Sequence, residues 1–389
     1  MRKVLDKFLL IFLVMPVLYS CINNNYDLDD IDDSVGLSPA ITLPIGTIRT
    51  GIIDFIEGAG ISGDILVKTT DTLYIVYNGS MSLSPSIPLF DYVPSDIIYF
   101  NNLPPEMPPS IQFGFGEGAG SVDIDVFKDL EANGNVLRPS DPRIYCTIRN
   151  YLGVDIGVDI NGISSYGVSS YGNDTLINAV FGNGVTSHSI DVGTAPEPGK
   201  YAERKEVFNK KNGGMNRLFL ISPEHLSFDF RVDLDIPDDG FIVKDQYIDV
   251  DYKVEIPMTF AKGTQLSYAD TLDFDLSGED FISNLDELRL WIGYENSLRM
   301  SVSLEVLFLD NYKKVVSNIE KKEFKMEAAK KGTHTLSFKQ SEFEDAKKAS
   351  YIVLKSAIKT DDNSVEVNIH PLDSISLKLS AYAKINILN

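Results

Sequence analysis

Cysteine is scarce in this chain, and so are the motifs that mark most enzymes. The 389 residues include two cysteines, four histidines and one tryptophan. No GxSxG elbow, phosphate-binding loop or HExxH metal motif occurs in the sequence. The sequence therefore predicts a protein that is not an enzyme and that has no cofactor and no metal site.

Positive charge is also in short supply. Lys and Arg number 35 against 56 Asp and Glu, which gives a net charge of -21 and a pI of about 4.6. Nucleic acids and anionic membrane surfaces are bound by basic faces, so this balance argues against both as partners. A solvated acidic surface fits an exported protein.

Only the N-terminus carries a marked apolar run. Arg2, Lys3 and Lys7 precede the run Phe8–Leu18, and Leu18-Tyr19-Ser20-Cys21 follows it. This order of basic, apolar and small residues predicts a signal peptide over 1–20. The run of about eleven residues is too short for a membrane span, which needs roughly 20 residues.

The residues before Cys21 resemble the bacterial lipobox, which implies cleavage before Cys21 and lipidation of that residue with acyl chains such as palmitate. An ordinary signal peptide followed by a chance cysteine is the alternative interpretation. With Cys21 acylated, Cys146 is the one thiol left, so an intramolecular disulfide is excluded and packing must hold the fold.

An acidic stretch follows, and we interpret residues 21–40 as a flexible tether between lipid and fold. Two alternatives stay open: a sorting signal for surface export, and calcium binding by the Asp cluster, although the spacing is not that of an EF-hand loop. Cys21, the run Tyr26-Asp27-Leu28-Asp29-Asp30-Ile31-Asp32 and Leu43-Pro44-Ile45-Gly46 together resemble the opening of uncharacterised lipoproteins of gut Bacteroidota. The resemblance implies an outer-membrane lipoprotein, on either side of that membrane.

Short segments of alternating apolar and polar residues fill the rest of the chain, separated by Gly and Pro. This pattern is typical of an all-β protein. The pattern over residues 41–118 predicts a small N-terminal β unit, which includes a hairpin around Asp71-Thr72 and ends in a Pro-rich linker.

An internal repeat indicates two further domains. The segment 143–152 matches 289–298 at an offset of 146 residues, and the match continues into the next alternating segment. The same offset places His188 on His334, and an offset of 149 residues places the segment 226–236 on 375–385. We therefore expect two tandem immunoglobulin-like β-sandwich domains, over 119–240 and 241–389.

Candidate chemistry in the sequence is sparse. Cys146 alternates with Ile144 and Ile148, and Ile292 occupies its repeat position, so a buried structural role is expected. Asp-x-Asp pairs such as Asp249/Asp251 are expected on solvated strand faces. His188 and His334 occupy the same repeat position, and a single His at that position cannot form a zinc site alone.

Two features could contact partners. Trp291 is predicted to point outward, because its neighbours Leu290 and Ile292 belong to the opposite strand face. Asp-Ser/Thr-apolar triplets resemble the O-glycosylation acceptors of exported Bacteroidota proteins and suit turns equally well. The acceptor positions would be Ser34, Thr72, Thr175, Thr271 and Ser374.

We expect a lipid-anchored outer-membrane protein with a non-catalytic binding or scaffolding role. Its partner would be a glycan or a protein, with the membrane contacted through the anchor. The first alternative is a surface glycan-binding lipoprotein, for which the exposed aromatic candidates are Tyr166, Tyr171, Tyr201 and Trp291. The second is a hydrolase.

Overall fold

The computed structural model describes residues 40–106, 112–113, 120–124, 126–168, 174–181, 184–274, 285–317, 319, 321–346, 348–360 and 366–385. The signal peptide, Cys21, Ser34, Tyr171 and all of the expected tether except Ala40 lie outside these residues.

Strands dominate the described part of the chain, and the expectation of an all-β protein is confirmed. The strands in chain order are β1 (Ala40–Gly51), β2 (Leu66–Lys68), β3 (Leu73–Leu83), β4 (Pro85–Ser86), β5 (Ile97–Tyr99), β6 (Gln112–Phe113), β7 (Gly120–Asp123), β8 (Arg143–Asn150), β9 (Asp155–Val168), β10 (Asp174–Asn178), β11 (His188–Asp191), β12 (Ala202–Phe208), β13 (Ser222–Asp235), β14 (Phe241–Val243), β15 (Ile248–Pro257), β16 (Thr259–Phe260), β17 (Gln265–Asp273), β18 (Leu285–Asn296), β19 (Val302–Leu309), β20 (Lys322–Met326), β21 (Lys330–Ser337), β22 (Tyr351–Lys359), β23 (Val367–Asn368) and β24 (Ser374–Ile385). The α-helices are α1 (Ile52–Gly58), α2 (Val126–Ala132) and α3 (Gln340–Ala346). Among the described residues, no helix has the length and apolar character to cross a bilayer.

The first sandwich packs two antiparallel sheets face to face. One sheet has the strand order β12-β8-β15-β3-β2, and the other has the order β10-β9-β13-β7 with β11 also paired to β9. Side chains from both sheets meet in the core, where the rings of Phe228 on β13 and Tyr252 on β15 stack with centroids 5.6 Å apart. Alternate residues are buried along central strands such as β8 and β15, as a sheet with one face in the core requires.

The second sandwich is built in the same way from the sheets β1-β24-β18-β21 and β17-β22-β19-β20. Phe324 on β20 packs against His334 on β21 at 4.5 Å and against Tyr294 on β18 at 6.2 Å. These contacts join the two sheets across their inner faces.

The two sandwiches share one topology. The order β12-β8-β15-β3 in the first corresponds to β21-β18-β24-β1 in the second, and β7-β13-β9-β11 corresponds to β17-β22-β19-β20. The repeat detected at an offset of 146 residues lies on two corresponding pairs, β8 with β18 and β9 with β19.

A buried asparagine marks the same corner in both copies. The side-chain amide of Asn150 donates to the carbonyl oxygens of Val154 (2.8 Å) and Gly193 (2.7 Å), and its oxygen accepts from the Leu152 N–H at 2.8 Å. Asn296 makes the equivalent bonds to Met300, Glu327 and Leu298, at 2.9 to 3.0 Å. Each asparagine therefore fastens the chain as it passes from one sheet of its sandwich to the other.

Residues 41–118 do not stand apart as the small unit expected from the sequence. β1 pairs along its length with β24 in the second sandwich, whereas β3 pairs with β15 in the first. The expected boundary at 240 also shifts, because β15 lies in the first sandwich beside β8. An alternating strand can complete any sheet edge of matching polarity, so its own sequence does not identify its partner.

Two of the sequence matches join strands that are not equivalent. β13 corresponds to β22 rather than to β24, and His188 lies on β11 whereas His334 lies on β21. His188 nonetheless packs on Phe208 of β12 at 5.3 Å, and His334 packs on Phe324 of β20. Each copy therefore has one His–Phe pair that joins its two corresponding edge strands, β11 and β12 in the first sandwich and β20 and β21 in the second. The histidine lies on β11 in the first copy, whereas in the second copy it lies on β21, the counterpart of β12.

The sandwiches meet end to end. Met258, which follows β15, accepts the N–H of Ile369 and donates to the carbonyl of Leu73, and Val136 bridges to Gln265 at the start of β17. At the opposite end of the second sandwich lie Ala40 and Leu309, and we call this end the proximal pole. We call the far end of the first sandwich, where β3 and β8 end and β12 and β15 begin, the distal pole.

Candidate functional site

Trp291 lies on the outer face of the second sandwich. Its neighbours Leu290 and Ile292 are buried on the inner face, and the half-buried indole stacks on Tyr382 with ring centroids 5.2 Å apart. Arg289 holds its guanidinium 5.6 Å from the Tyr382 ring and donates to Glu287. We call Arg289, Trp291 and Tyr382 the tryptophan platform.

The first sandwich carries an aromatic residue at the matching position. Tyr145 lies on β8 where Trp291 lies on β18, and each follows an arginine by two residues. The Tyr145 hydroxyl donates to Glu255 at 3.2 Å, and Lys253 places its ammonium 4.2 Å from the ring. Here the aromatic face is covered by a lysine, so it offers less open ring than the tryptophan platform.

Cys146 faces a small cavity between the sheets of the first sandwich. The cavity measures about 40 Å³ and is lined by apolar side chains, among them Met81, Phe208 and Phe230. Burial, reinforced by the carboxylates of Glu206 and Asp251, raises the pKa of the Cys146 thiol to about 12. The thiol is therefore protonated at neutral pH and is a poor nucleophile.

The histidines are engaged in packing. His188 and His334 occupy the His–Phe pairs described above, and His225 stacks on Tyr166 at 5.2 Å. His370 accepts the N–H of Leu372 at its Nδ1. Among the described residues, no group of three or more His, Cys, Asp or Glu side chains is arranged to hold a metal ion.

The acidic pair Asp249/Asp251 lies on a strand face that is open to solvent. Asp249 accepts from the Ser82 hydroxyl at 2.6 Å, and Asp251 pairs with Arg149 at 2.6 Å. Of the described acceptor positions for O-glycosylation, Thr271 is exposed, and the other three are half-buried at strand starts or within β10. Those three are Thr72, Thr175 and Ser374.

A GxGxxG spacing occurs at 58–63, which sequence reasoning passed over. In the dinucleotide-binding fingerprint the glycines open a helix, whereas here Gly58 ends α1. A Cβ on Gly58 would lie 2.2 Å from the Tyr268 ring, so this glycine serves close packing.

The distal pole carries a cluster of tyrosines. Tyr151, just after β8, packs against Tyr201 at 5.2 Å and against Tyr247 at 5.3 Å between ring centroids. Tyr201 is 46% exposed and Tyr247 is 36% exposed, so both residues are partly open to solvent. We call these three residues the distal tyrosine cluster.

Arg149 supports the cluster from the adjoining sheet face. Its guanidinium lies 6.0 Å from the Tyr201 ring and pairs with Asp251 (2.6 Å) and Glu203 (3.3 Å). Burial among these rings, followed by the nearby Asp249, raises the pKa of the Tyr151 hydroxyl. The hydroxyl therefore stays neutral at physiological pH and can both donate and accept hydrogen bonds.

An open cleft of about 490 Å³ adjoins the distal tyrosine cluster. Its polar groups come from Thr194, Glu197 and Asp239, and its aromatic wall is Tyr99 packed on Phe241 at 6.0 Å. The segment 151–153 links the distal tyrosine cluster to this cleft, because Tyr151 belongs to the cluster and Gly153 lines the cleft. Glycine is required at 153 because a Cβ there would lie 2.3 Å from the Phe241 ring.

This arrangement has the chemistry of a binding site. Exposed aromatic faces beside hydroxyl and carboxylate groups can stack on a flat apolar surface and hydrogen-bond its polar rim. Sequence reasoning named Tyr201 alone from this site. Tyr99 and Tyr247 carry no local signal, because they join Tyr151 and Tyr201 through sheet pairing across distant parts of the chain.

Comparison with solved structures supports the fold. The chain is similar to a protein from Parabacteroides distasonis ATCC 8503 described as a "putative secreted protein", with a TM-score of 0.59 at 13% identity. The match covers 89% of this chain and 99% of that one. At this identity the likeness shows the fold alone.

A weaker match joins the chain to the tandem CBM22 domains of Xyn10C from Paenibacillus barcinonensis. It covers 78% of this chain and 93% of that one at 8% identity. Its TM-score of 0.19 is too low to indicate a shared fold. No protein-family model matches the chain, and no curated protein matches its sequence.

Proposed function

We propose that this chain is a lipid-anchored protein of the outer membrane that binds a partner without catalysing a reaction. The observation that carries the proposal is the distal tyrosine cluster with its adjoining cleft. It is an assembled, partly exposed aromatic site at the pole opposite the start of β1. A protein held through Cys21 would present this pole away from its anchor.

The chemistry of the site favours a saccharide as ligand. Tyr201 and Tyr247 offer faces for the C–H surface of a sugar ring, and Glu197 and Asp239 can accept hydrogen bonds from its hydroxyls. The same carboxylates disfavour acidic sugars by charge repulsion. The tryptophan platform is the second candidate, because it too is a stacked aromatic pair on an outer face.

One pair of variants separates the two sites. The chain without its anchor is applied to a glycan array as wild type, Tyr201→Ala and Trp291→Ala. We expect binding to neutral glycans to be lost in Tyr201→Ala and kept in Trp291→Ala. The reverse result would assign binding to the tryptophan platform, and no binding by the wild type would contradict a glycan ligand.

Anchoring and location are tested on cells. Cys21→Ser should release the protein from the membrane fraction, and retention of this variant would contradict the anchor. Protease treatment of intact cells, with lysed cells as control, should remove the full-length protein if it faces outward. If the protein resists the protease until the cells are lysed, it faces the periplasm, and a scaffolding role there becomes the better proposal.

The non-catalytic part of the proposal has its own test. A panel of glycoside and ester substrates should show no turnover by the purified chain. Turnover that a single Asp→Asn substitution abolishes would contradict the proposal in favour of a hydrolase.

A further inference from the structure

A tight turn between β19 and β20 projects from the proximal pole. Tyr312 is 78% exposed and Val315 is 56% exposed, and Lys313 and Lys314 lie between them. We call Asp310–Val315 the proximal turn.

The backbone of the proximal turn is held in one shape. The Asp310 carboxylate accepts the N–H groups of Tyr312 and Lys314, both at 2.9 Å, and the Asp310 N–H donates to the Lys314 carbonyl. Val315 bridges back to Leu309. The turn therefore presents its exposed side chains on a fixed support, and its one carboxylate is committed to the backbone.

The proximal turn lies at the same end of the fold as the start of β1. Ala40 pairs with Lys384, and the neighbouring strand β18 begins beside them. Phe338 donates its N–H to the Leu288 carbonyl there and packs its ring on Phe308, two residues before the turn. The residues that lead to Cys21 thus enter the fold at the pole from which the turn projects.

The composition of the turn matches a membrane interface. Tyrosine is favoured at the headgroup level because its ring is apolar and its hydroxyl is polar. Lysines near an anionic leaflet are attracted to its phosphates within about 10 Å of the surface. The net charge of -21 repels such a surface as a whole, so the attraction has to come from Lys313 and Lys314 themselves.

We propose that the proximal turn rests on the phospholipid headgroups of the membrane that holds the protein, with Lys313 and Lys314 on phosphates and Tyr312 and Val315 at the apolar boundary. The inference rests on the anchor of the proposed function. The 18 residues 22–39 reach at most about 60 Å, so an anchored chain keeps the turn close to the bilayer at a high effective concentration. The turn would therefore fix the orientation of the molecule, with the distal pole outward.

A fluorescence experiment tests this contact without relying on natural acylation. The chain from Cys21 onward is coupled through that thiol to a maleimide lipid in phosphatidylethanolamine–phosphatidylglycerol vesicles. Cys146 is half-buried, so the coupling is done in a Cys146→Val background in which Cys21 is the remaining cysteine. In a Trp291→Phe background, Tyr312→Trp carries the one tryptophan, and lipids with brominated acyl chains act as quencher.

We expect brominated lipids to quench Trp at 312 and to leave Trp at 201 unquenched when Tyr201→Trp is used as the control. Lys313→Glu with Lys314→Glu should reduce the ratio of docked to undocked protein by at least about 30-fold. The matched charge control is Lys330→Glu with Lys331→Glu, at the other end of the second sandwich, which should leave quenching unchanged.

Equal quenching at positions 312 and 201, or none at 312 on coupled vesicles, would overturn the inference. So would quenching that both charge pairs reduce alike, since that would show attraction of the whole protein rather than a docked turn. Because coupling is chemical, none of these outcomes depends on whether cells acylate Cys21. The Cys21→Ser fractionation decides that separately.

Discussion

Asn150 and Asn296 carry the clearest energetic role of single residues in this fold. Each is almost fully buried and makes three hydrogen bonds to the backbone of its own copy. Removing such a side chain leaves buried carbonyl and N–H groups without partners, which costs more than the bonds themselves contribute.

We expect Asn150→Ala and Asn296→Ala each to lower the free energy of unfolding by at least about 3 kcal/mol, from roughly 1 kcal/mol or more for each of three backbone groups left unpaired. Urea denaturation followed by circular dichroism measures the effect, with the exposed Asn101→Ala as control. A change no larger than that of the control would show that water replaces the lost bonds.

Cys146 predicts a dependence of stability on pH. Its thiol keeps its proton in the folded chain up to about pH 12, whereas in the unfolded chain it ionises near pH 9. The folded state therefore binds more protons between these values, so stability falls as pH rises through them.

Between about pH 8 and 10.5 the wild type should lose more stability than Cys146→Val, in which no thiol titrates. Urea midpoints at the two pH values measure the difference. Identical losses in both proteins would contradict the raised pKa, because all other groups are common to them.

At the scale of elements, β1 determines whether the second sandwich is complete. Its eleven registered pairs cover the edge of β24, and its Ile48 is buried in the core. An uncovered edge of this length exposes unpaired backbone groups and apolar side chains.

A chain that begins at Ile52 should therefore bind a hydrophobic dye and lose thermal stability, whereas a chain that begins at Ala40 should not. A synthetic peptide of residues 40–51 should restore the shortened chain by occupying the vacated edge. Full stability of the shortened chain without the peptide would show that β1 is dispensable.

β1 also shows where sequence reasoning succeeds and where it fails. Alternation identified most strands and their buried faces, because a half-buried strand must have period two. It could not assign partners, since every alternating segment fits every other, and β13 was matched to β24 for this reason. The match of β8 to β18 was correct because it contains the Asn-x-Leu signal of Asn150 and Asn296, which alternation alone does not produce.

The distal tyrosine cluster could not be predicted from the sequence, because strand pairing assembles it from separate segments.

At the scale of the whole molecule, the two sandwiches share one continuous core. Asn135 is buried at their junction, where its amide donates to the Ala59 carbonyl at 2.9 Å and its oxygen accepts from the N–H and hydroxyl of Ser267 at 2.8 and 2.7 Å. The segment after α2 is thereby fixed to β17, and the sandwiches should unfold together.

Asn135→Ala should weaken that coupling and divide one thermal transition into two, whereas Asn150→Ala, within the first sandwich, should lower the transition without dividing it. Differential scanning calorimetry distinguishes the two results. A single transition in Asn135→Ala would indicate that the apolar part of the junction suffices.

The route of β1 through the molecule has a mechanical consequence. The strand begins at the proximal pole of the second sandwich and ends near the junction with the first sandwich. A tensile force between the membrane and a ligand bound at the distal pole would act parallel to the axis of β1. Its hydrogen bonds to β24 would then be loaded in shear and would have to rupture together. In the proposed anchored protein, the second sandwich would therefore resist extension under force.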